Sequence, residues 1–200
     1  AKVSTFVSDG STPLTTTGNK LHLTVTGTAA DNTFEATDTD DLIELLGKTT
    51  GNITLADGGA GDPKLKGTAA KVASVITNAK ILNHDSSVVV LSDAAGAVVQ
   101  AADLKNINAA TDKNVAINAG VVLSGAIADV NAALGGKAAN TNAATNGIHG
   151  MGANNVVITD LVVDHSTLDT LTSNDGNGGT SPLTSGNITV LSSSITGTGV

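Results

Sequence analysis

The sequence predicts a mainly β fold with short helices, built as a repetitive β-solenoid-like stack of strand–strand–short-helix units. Two observations predict it. The phrase T-x-G-N recurs at residues 16–19, 49–52 and 184–187, each time before a run rich in β-branched residues, and short helical patterns recur between the runs. Such self-similarity is typical of stacked supersecondary units. We expect one domain over residues 1–200, and a β-sandwich with small helices is the alternative.

Short runs of β-branched and aliphatic residues predict the strands, because these side chains fit a half-buried pleated surface. The runs that follow the T-x-G-N phrase cover residues 21–25, 53–55 and 188–191. The other runs cover 64–66, 88–91, 97–99, 115–117, 121–123, 156–158 and 161–163. Most of these runs come in pairs, which gives two strands for each unit.

Apolar residues at spacings of i, i+3 and i+4 predict one or two helical turns in each unit. Val72, Val75 and Ile76 show this spacing after Ala69-Ala70-Lys71. The first helix is expected to have Asp40 as its N-cap. The expected helix starts, at intervals of 30, 32, 26 and 35 residues, are Asp41, Lys71, Asp103, Asp129 and Asp164. A period near 30 with variable loops fits coils of a solenoid.

Small aliphatic side chains must build the core. Phe6 and Phe34 are the only aromatic residues, and 28 of the 200 residues are alanine. Thin layers can be filled by such side chains, whereas a large globular core normally draws on aromatic area. The Gly- and Asn-rich stretch at about 135–155 has no such pattern and is expected to be a loop insertion.

Charge and composition exclude several classes of partner. The chain has a net charge of −8 and no arginine, so a nucleic-acid partner is not expected. It has no run near the ~20 apolar residues that a membrane-spanning helix needs, so membrane insertion is not expected. It has no cysteine, which excludes disulfides and thiolate metal sites.

Two Gly- and Asp-rich segments offer candidate calcium ligands. Asp57 and Asp62 lie in a segment that resembles a calcium β-roll, but Asp62 falls one place early and Pro63 follows it. Asp175 and Asn177 supply oxygen ligands at alternate positions without a distal glutamate. The pattern favours ordinary turns over metal sites. The acidic group at residues 35–44 likewise favours a helix start, where carboxylates cap free N–H groups.

No catalytic signature is present, so we expect no enzymatic activity, no catalytic residues and no cofactor. The four histidines are far apart in sequence, unlike the close pairs of zinc sites. Asp164, His165 and Ser166 contain the residue types of a catalytic triad, but adjacent residues cannot form the relay. A G-x-S-x-G nucleophile motif and a phosphate-binding loop are also missing from the sequence.

The G-T-A-A phrases at 27–30 and 67–70, with the T-x-G-N-I-T strands, resemble repeats of large bacterial surface proteins. Repeats of this composition are found in cyanobacterial cell-surface and S-layer-like chains, in RTX-type adhesins and in structural proteins of their phages. The resemblance covers most of the chain and implies an extracellular, cell-surface or virion-surface location. It carries over no functional residue. The chain lacks the tandem calcium nonapeptides of RTX proteins.

We therefore expect a non-enzymatic structural protein that assembles into a surface layer, filament or virion appendage through its strand-rich ends. Solenoid ends expose strand edges that need caps or partners. The expected assembly contacts are Leu21, Leu23, Val25, Ile188, Val190, Ile195 and Val200. Expected partners are further copies of the chain, as a homo-oligomer or polymer, and a virion or cell-surface scaffold. The alternative is an extracellular adhesin or glycan-binding module that uses the 135–155 loop.

Overall fold

The computed structural model describes residues 20, 22–26, 33–56, 62–134, 148, 151–173 and 184–197. The chain divides into two compact units. Unit 1 comprises residues 1–92 and 110–113, and unit 2 comprises residues 93–109 and 114–200. Each unit combines short helices with short strands in small parallel sheets. The expectation of a single domain over 1–200 stays a prediction.

In unit 1, two parallel sheets run beside two helices. The strands are β1 (Leu23–Thr26), β2 (Thr33–Phe34), β3 (Ile53–Ala56), β4 (Lys64–Gly67), β5 (Ile81–Leu82) and β6 (Val88–Leu91), and the helices are α1 (Ala36–Lys48) and α2 (Ala69–Ile76). The order β1-β3-β5 forms one sheet, and β2, β4 and β6 lie side by side in another. Leu23 lies opposite Ile53, and Ile53 lies opposite Ile81.

Unit 2 also combines parallel strand pairs with short helices. The strands are β7 (Val98–Gln100), β8 (Val115–Ala116), β9 (Val122–Gly125), β10 (Asn155–Ile158), β11 (Val162–Asp164), β12 (Ile188–Val190) and β13 (Ser194–Thr196), and the helices are α3 (Ala101–Ala110), α4 (Ile127–Leu134) and α5 (His165–Ser173). One sheet has the order β12-β10-β9-β7, and β11 pairs with β13. All of these pairings are parallel.

Aliphatic side chains stack in columns through each unit, because parallel strands in register place equivalent residues on the same face. One column runs through Val99, Leu123 and Val156, all of which are buried. Phe34 is fully buried, while Phe6 lies outside the described residues. The core is thus built from small branched side chains, as the composition predicts.

Two copies of the T-x-G-N phrase, at residues 49–52 and 184–187, form a tight corner before a strand, and the copy at 16–19 lies outside the described residues. The Thr184 hydroxyl accepts the N–H of Gly186 at 2.9 Å and donates to the carbonyl of Asn154 at 2.5 Å. Thr49 accepts the N–H of Gly51 in the same way, at 3.0 Å. Such hydroxyl turns satisfy backbone groups that the corner would otherwise leave unpaired. The threonine of the phrase therefore has the same role in both described copies, and Thr184 also links its corner to the residue before β10.

Two further corners use the same geometry with different residues. Thr111 accepts the N–H of Lys113 at 3.1 Å and donates to the carbonyl of Ser87 at 2.5 Å. The Asn78 amide oxygen accepts the N–H of Lys80 at 3.0 Å, which is the asparagine equivalent of the turn. Lysine in place of glycine hides the first of these copies in the sequence.

The predicted strand runs and helical patches are confirmed in position among the described residues, but the class differs. Helices contribute at least as many residues as strands, so the fold is mixed α/β rather than mainly β. The sandwich alternative does not fit, because its sheets are antiparallel and the strand pairs here are parallel. Helix α1 begins at Ala36 with Glu35 as N-cap, so the expectation that Asp40 caps it was wrong.

Candidate functional site

The outer edge of β1 is the first candidate assembly surface. Among the described strands, β1 is an end strand of its sheet. Leu23 and Val25 are half-buried, whereas their partners Ile53 and Leu55 are 0% exposed. The apolar columns therefore continue into β1 with their last members partly uncovered. Leu21, also expected at this edge, lies outside the described residues.

The outer edge of β12 is the second candidate surface and has the same character. Ile188 and Val190 are half-buried, whereas their partners Val156 and Ile158 on β10 are 1% and 0% exposed. Within the part of the chain that the structure describes, β12 is an end strand of the sheet β12-β10-β9-β7. Val200 lies outside the described residues.

Four exposed aliphatic side chains lie in or next to β11, β12 and β13. Ile195 is 56% exposed, although it continues the column of Val163, which is 1% exposed. Leu161, Val162 and Leu191 are 75%, 57% and 61% exposed. The sequence predicts a strand over 161–163, but its local pattern does not reveal this exposure.

Carboxylates near the C-terminal end cap helices. The Asp160 carboxylate accepts the N–H of Ile127, the first residue of α4, at 2.6 Å. The Asp164 carboxylate accepts the N–H of Ser166 at 2.9 Å and its hydroxyl hydrogen, at the start of α5. These hydrogen bonds from Ser166 lower the pKa of Asp164. The Asp164-His165-Ser166 sequence is thus a helix cap in the folded chain.

The pKa of Asp103, in α3, is shifted in the opposite direction. Partial burial, together with the negative charge of Asp93, raises the pKa of the Asp103 carboxyl. Both effects disfavour the ionised form. The carboxylate of Asp103 therefore opposes folding when it is charged.

The acidic group at residues 35–44 serves the start of α1, as the sequence favours. The Asp38 carboxylate accepts the N–H of Glu35 at 3.0 Å and completes a capping box. Glu35 and Asp40 make ion pairs of 2.7 Å with Lys66 and Lys71. These pairs are about half-exposed, so each is expected to contribute only ~0–1 kcal/mol.

Of the calcium candidates, only Asp62 lies among the described residues. It lines a shallow depression with Leu55, Pro63, Asn83 and Ser86. Its carboxylate is 2.9 Å from the ammonium of Lys113, so it has a cationic partner already. Asp57, Asp175 and Asn177 lie outside the described residues. No group of three or more His, Cys, Asp or Glu side chains suited to a metal occurs in the described part of the chain.

The predicted 135–155 loop returns to the core before it ends. Ile148 is fully buried, and its N–H donates to the amide oxygen of Asn108 at 3.2 Å. Met151 and Asn154 are also buried, and Asn154 accepts the N–H of Gly120 at 2.5 Å. Residues 135–147, 149 and 150 lie outside the described residues.

Comparison of the chain with protein-family models, curated proteins and solved structures found no match. None of the helices in the described part of the chain combines the length and the apolar character needed to cross a bilayer. The case for a function therefore depends on the chain's own geometry.

Proposed function

We propose that the chain is a non-enzymatic structural protein that assembles into a surface layer, filament or virion appendage through the edge strands at its two ends. The observation that carries the proposal is the partial exposure of Leu23, Val25, Ile188 and Val190, each in register with a buried residue. A further layer of strands would cover all four. A homo-oligomer or polymer supplies that layer from another copy.

We further propose that each unit is a solenoid-like stack. Paired residues of neighbouring strands are separated in sequence by 24 residues, as for Val98 and Val122, to 33 residues, as for Val122 and Asn155. Parallel pairing at such separations is what successive coils produce. The helices follow the same succession, because α1 packs against α2 and α4 packs against α5.

The chemistry of the end strands supports assembly rather than protection. Monomeric proteins protect sheet edges with charges, prolines, bulges or very short edge strands. The end strands β1, β12 and β13 read LTVT, ITV and SIT, without a charged residue or proline. These strands therefore carry no side-chain charge or proline that would hinder the addition of a further strand. The resemblance to repeats of bacterial surface proteins supports an extracellular, cell-surface or virion-surface location, with a scaffold there as a further partner.

Sedimentation velocity and negative-stain microscopy of the purified chain test the proposal. We expect oligomers or polymers for the full chain and their loss on deletion of residues 192–200, which removes β13. Deletion of residues 139–145 is the matched control, since it shortens the 135–155 loop and leaves Ile148 in place. A full chain that stays monomeric at high concentration would contradict the proposal, as would assembly that survives the tail deletion. Ligand binding lost with the loop would favour the adhesin or glycan-binding alternative.

A further inference from the structure

We propose that the outer edge of β12 receives β1 of a second copy of the chain, in parallel and in register, so that Leu23 lies opposite Ile188 and Val25 opposite Val190. The inference rests on the proposed function, that the chain assembles by its ends, and specifies the pairing. It predicts a polar, head-to-tail assembly, since the two contacting surfaces differ.

Backbone hydrogen bonds have a consistent direction in these sheets. The N–H groups of Leu23, Ile53 and Val156 donate to Asn52, Lys80 and Asn187, at 2.9, 2.8 and 2.9 Å. Each donor is a residue of an apolar column, and each acceptor precedes or begins the neighbouring strand that comes later in the chain. Column residues therefore direct their backbone groups toward the next strand.

The residues that alternate with the column residues direct their groups the other way, because successive residues of a parallel strand bond to opposite neighbours. The N–H groups of Val88 and Val122 donate to Pro63 and Ala97, at 2.8 and 2.9 Å, toward the strand that comes earlier in the chain. The two observations together define a forward edge and a backward edge for every strand.

The two end strands expose complementary edges by this rule. On β12, Ile188 and Val190 continue the columns, so their N–H and C=O groups point away from β10. Leu191, the next residue, donates to Ile158 at 2.9 Å and confirms the alternation. On β1, the solvent-facing Thr24 points away from β3. No described strand lies beyond either edge. β1 of a second copy thus fits β12 as β3 fits β1.

A side chain extends the match at the start of the strands. The Asn155 amide oxygen accepts the N–H of Asn187 at 2.9 Å, and the His22 ring nitrogen Nδ1 accepts the N–H of Asn52 at 3.2 Å. In both cases the residue just before the first column residue binds the equivalent residue of the neighbouring strand. Asn187 is exposed and occupies that position before β12. It is placed to accept the N–H of His22 from the second copy.

Proline substitutions at the two edges provide the test. Thr24→Pro and Ile188→Pro each remove an N–H that points to an outer edge, and proline is tolerated at edge positions. We expect each variant alone to remain monomeric, with association at least about tenfold weaker than in the full chain. Thr189→Pro is the matched control, because its N–H points to β10 and its loss should lower the melting temperature instead.

Mixing the two edge variants separates head-to-tail from symmetric contacts. Thr24→Pro keeps the β12 edge and Ile188→Pro keeps the β1 edge, so the mixture should form heterodimers and stop there. Homodimers of a single variant, a monomeric mixture, or unchanged assembly of either variant would overturn the pairing. Val190→Pro replaces Ile188→Pro if the latter has a lowered melting temperature.

The design also separates the two proposals. A full chain that never assembles refutes the proposed function and the pairing together. If the full chain assembles and both edge variants also assemble, only the pairing is refuted. Assembly would then use other contacts.

Discussion

Substitution of Gly186 by alanine tests the account of the T-x-G-N corner most directly. A Cβ at this position would lie 2.4 Å from the carbonyl oxygen of Asn154 and 2.7 Å from that of Ala153. Both are backbone atoms, and ordinary contacts begin at 3.4 Å. The chain before β12 must therefore move by about an ångström, since no flexible side chain can give way.

The expected cost follows from the hydrogen bonds that this movement breaks. Thr184 donates to Asn154 at 2.5 Å, and the N–H of Ser185 donates to Gly152 at 2.7 Å. Loss of two or three bonds at ~1 kcal/mol each gives a destabilisation of about 2–3 kcal/mol. Gly47→Ala is the control, because its Cβ would have nothing within 4 Å and it lies inside α1. Alanine there should stabilise by ~0.5–1 kcal/mol.

Urea unfolding followed by far-UV circular dichroism measures both variants, because the chain has no tryptophan or tyrosine for fluorescence. The two glycines lie in different compact units, so hydrogen exchange with mass spectrometry assigns each change to its unit. A Gly186→Ala variant within about 0.5 kcal/mol of the parent would refute the close-approach argument, since that is the range of ordinary surface substitutions. A destabilised Gly47→Ala would also refute it.

The remaining predictions concern the Thr111 corner and the two carboxylates with shifted pKa. Thr111→Val should destabilise by ~1–3 kcal/mol in urea unfolding, because it removes the hydroxyl that Ser87 and Lys113 bind, while Thr111→Ser retains it and should not. Burial raises the pKa of Asp103, so the parent should lose stability relative to Asp103→Asn as pH rises through the folded-state pKa. Hydrogen bonds from Ser166 lower the pKa of Asp164, so its stabilisation should vanish as pH falls through the folded-state pKa. Calorimetric melting temperatures of the parent, Asp103→Asn and Asp164→Asn from acid to neutral pH check both signs; parallel curves for parent and variant would contradict them.

Local patterns in the sequence were sufficient to predict most elements. The spacing of Val72, Val75 and Ile76 predicts α2, and all three are buried. The elements that the sequence did not predict correctly have physical explanations. β2 and β5 have two residues each, too few to show alternation, and they are strands only because neighbours pair with them. Helix α1 begins earlier than predicted because the Glu35–Asp38 capping box, not Asp40, satisfies its first N–H groups.

The candidate site was predictable in part. The recurring phrase and its β-branched runs indicated β1 and β12 as the ends, and both are end strands among the described residues. The exposure of Leu161 and Val162 was not predictable, because an L-V-V run has the same local pattern whether or not another layer covers it. The copy of the corner at Thr111 was missed because lysine replaces glycine there.

Uneven spacing between paired strands has a consequence for how such a gene can change. Strands remain aligned whether 24 residues separate them, as between Val98 and Val122, or 33, as between Val122 and Asn155. The segments between the strands therefore take up the differences in length, and the position of each strand depends only on the strands that pair with it. Unequal recombination between the DNA encoding residues 49–52 and 184–187 would join equivalent corners. Lineages could thus lengthen or shorten the protein in steps while keeping β1 and β12, and with them the contact that we propose between copies.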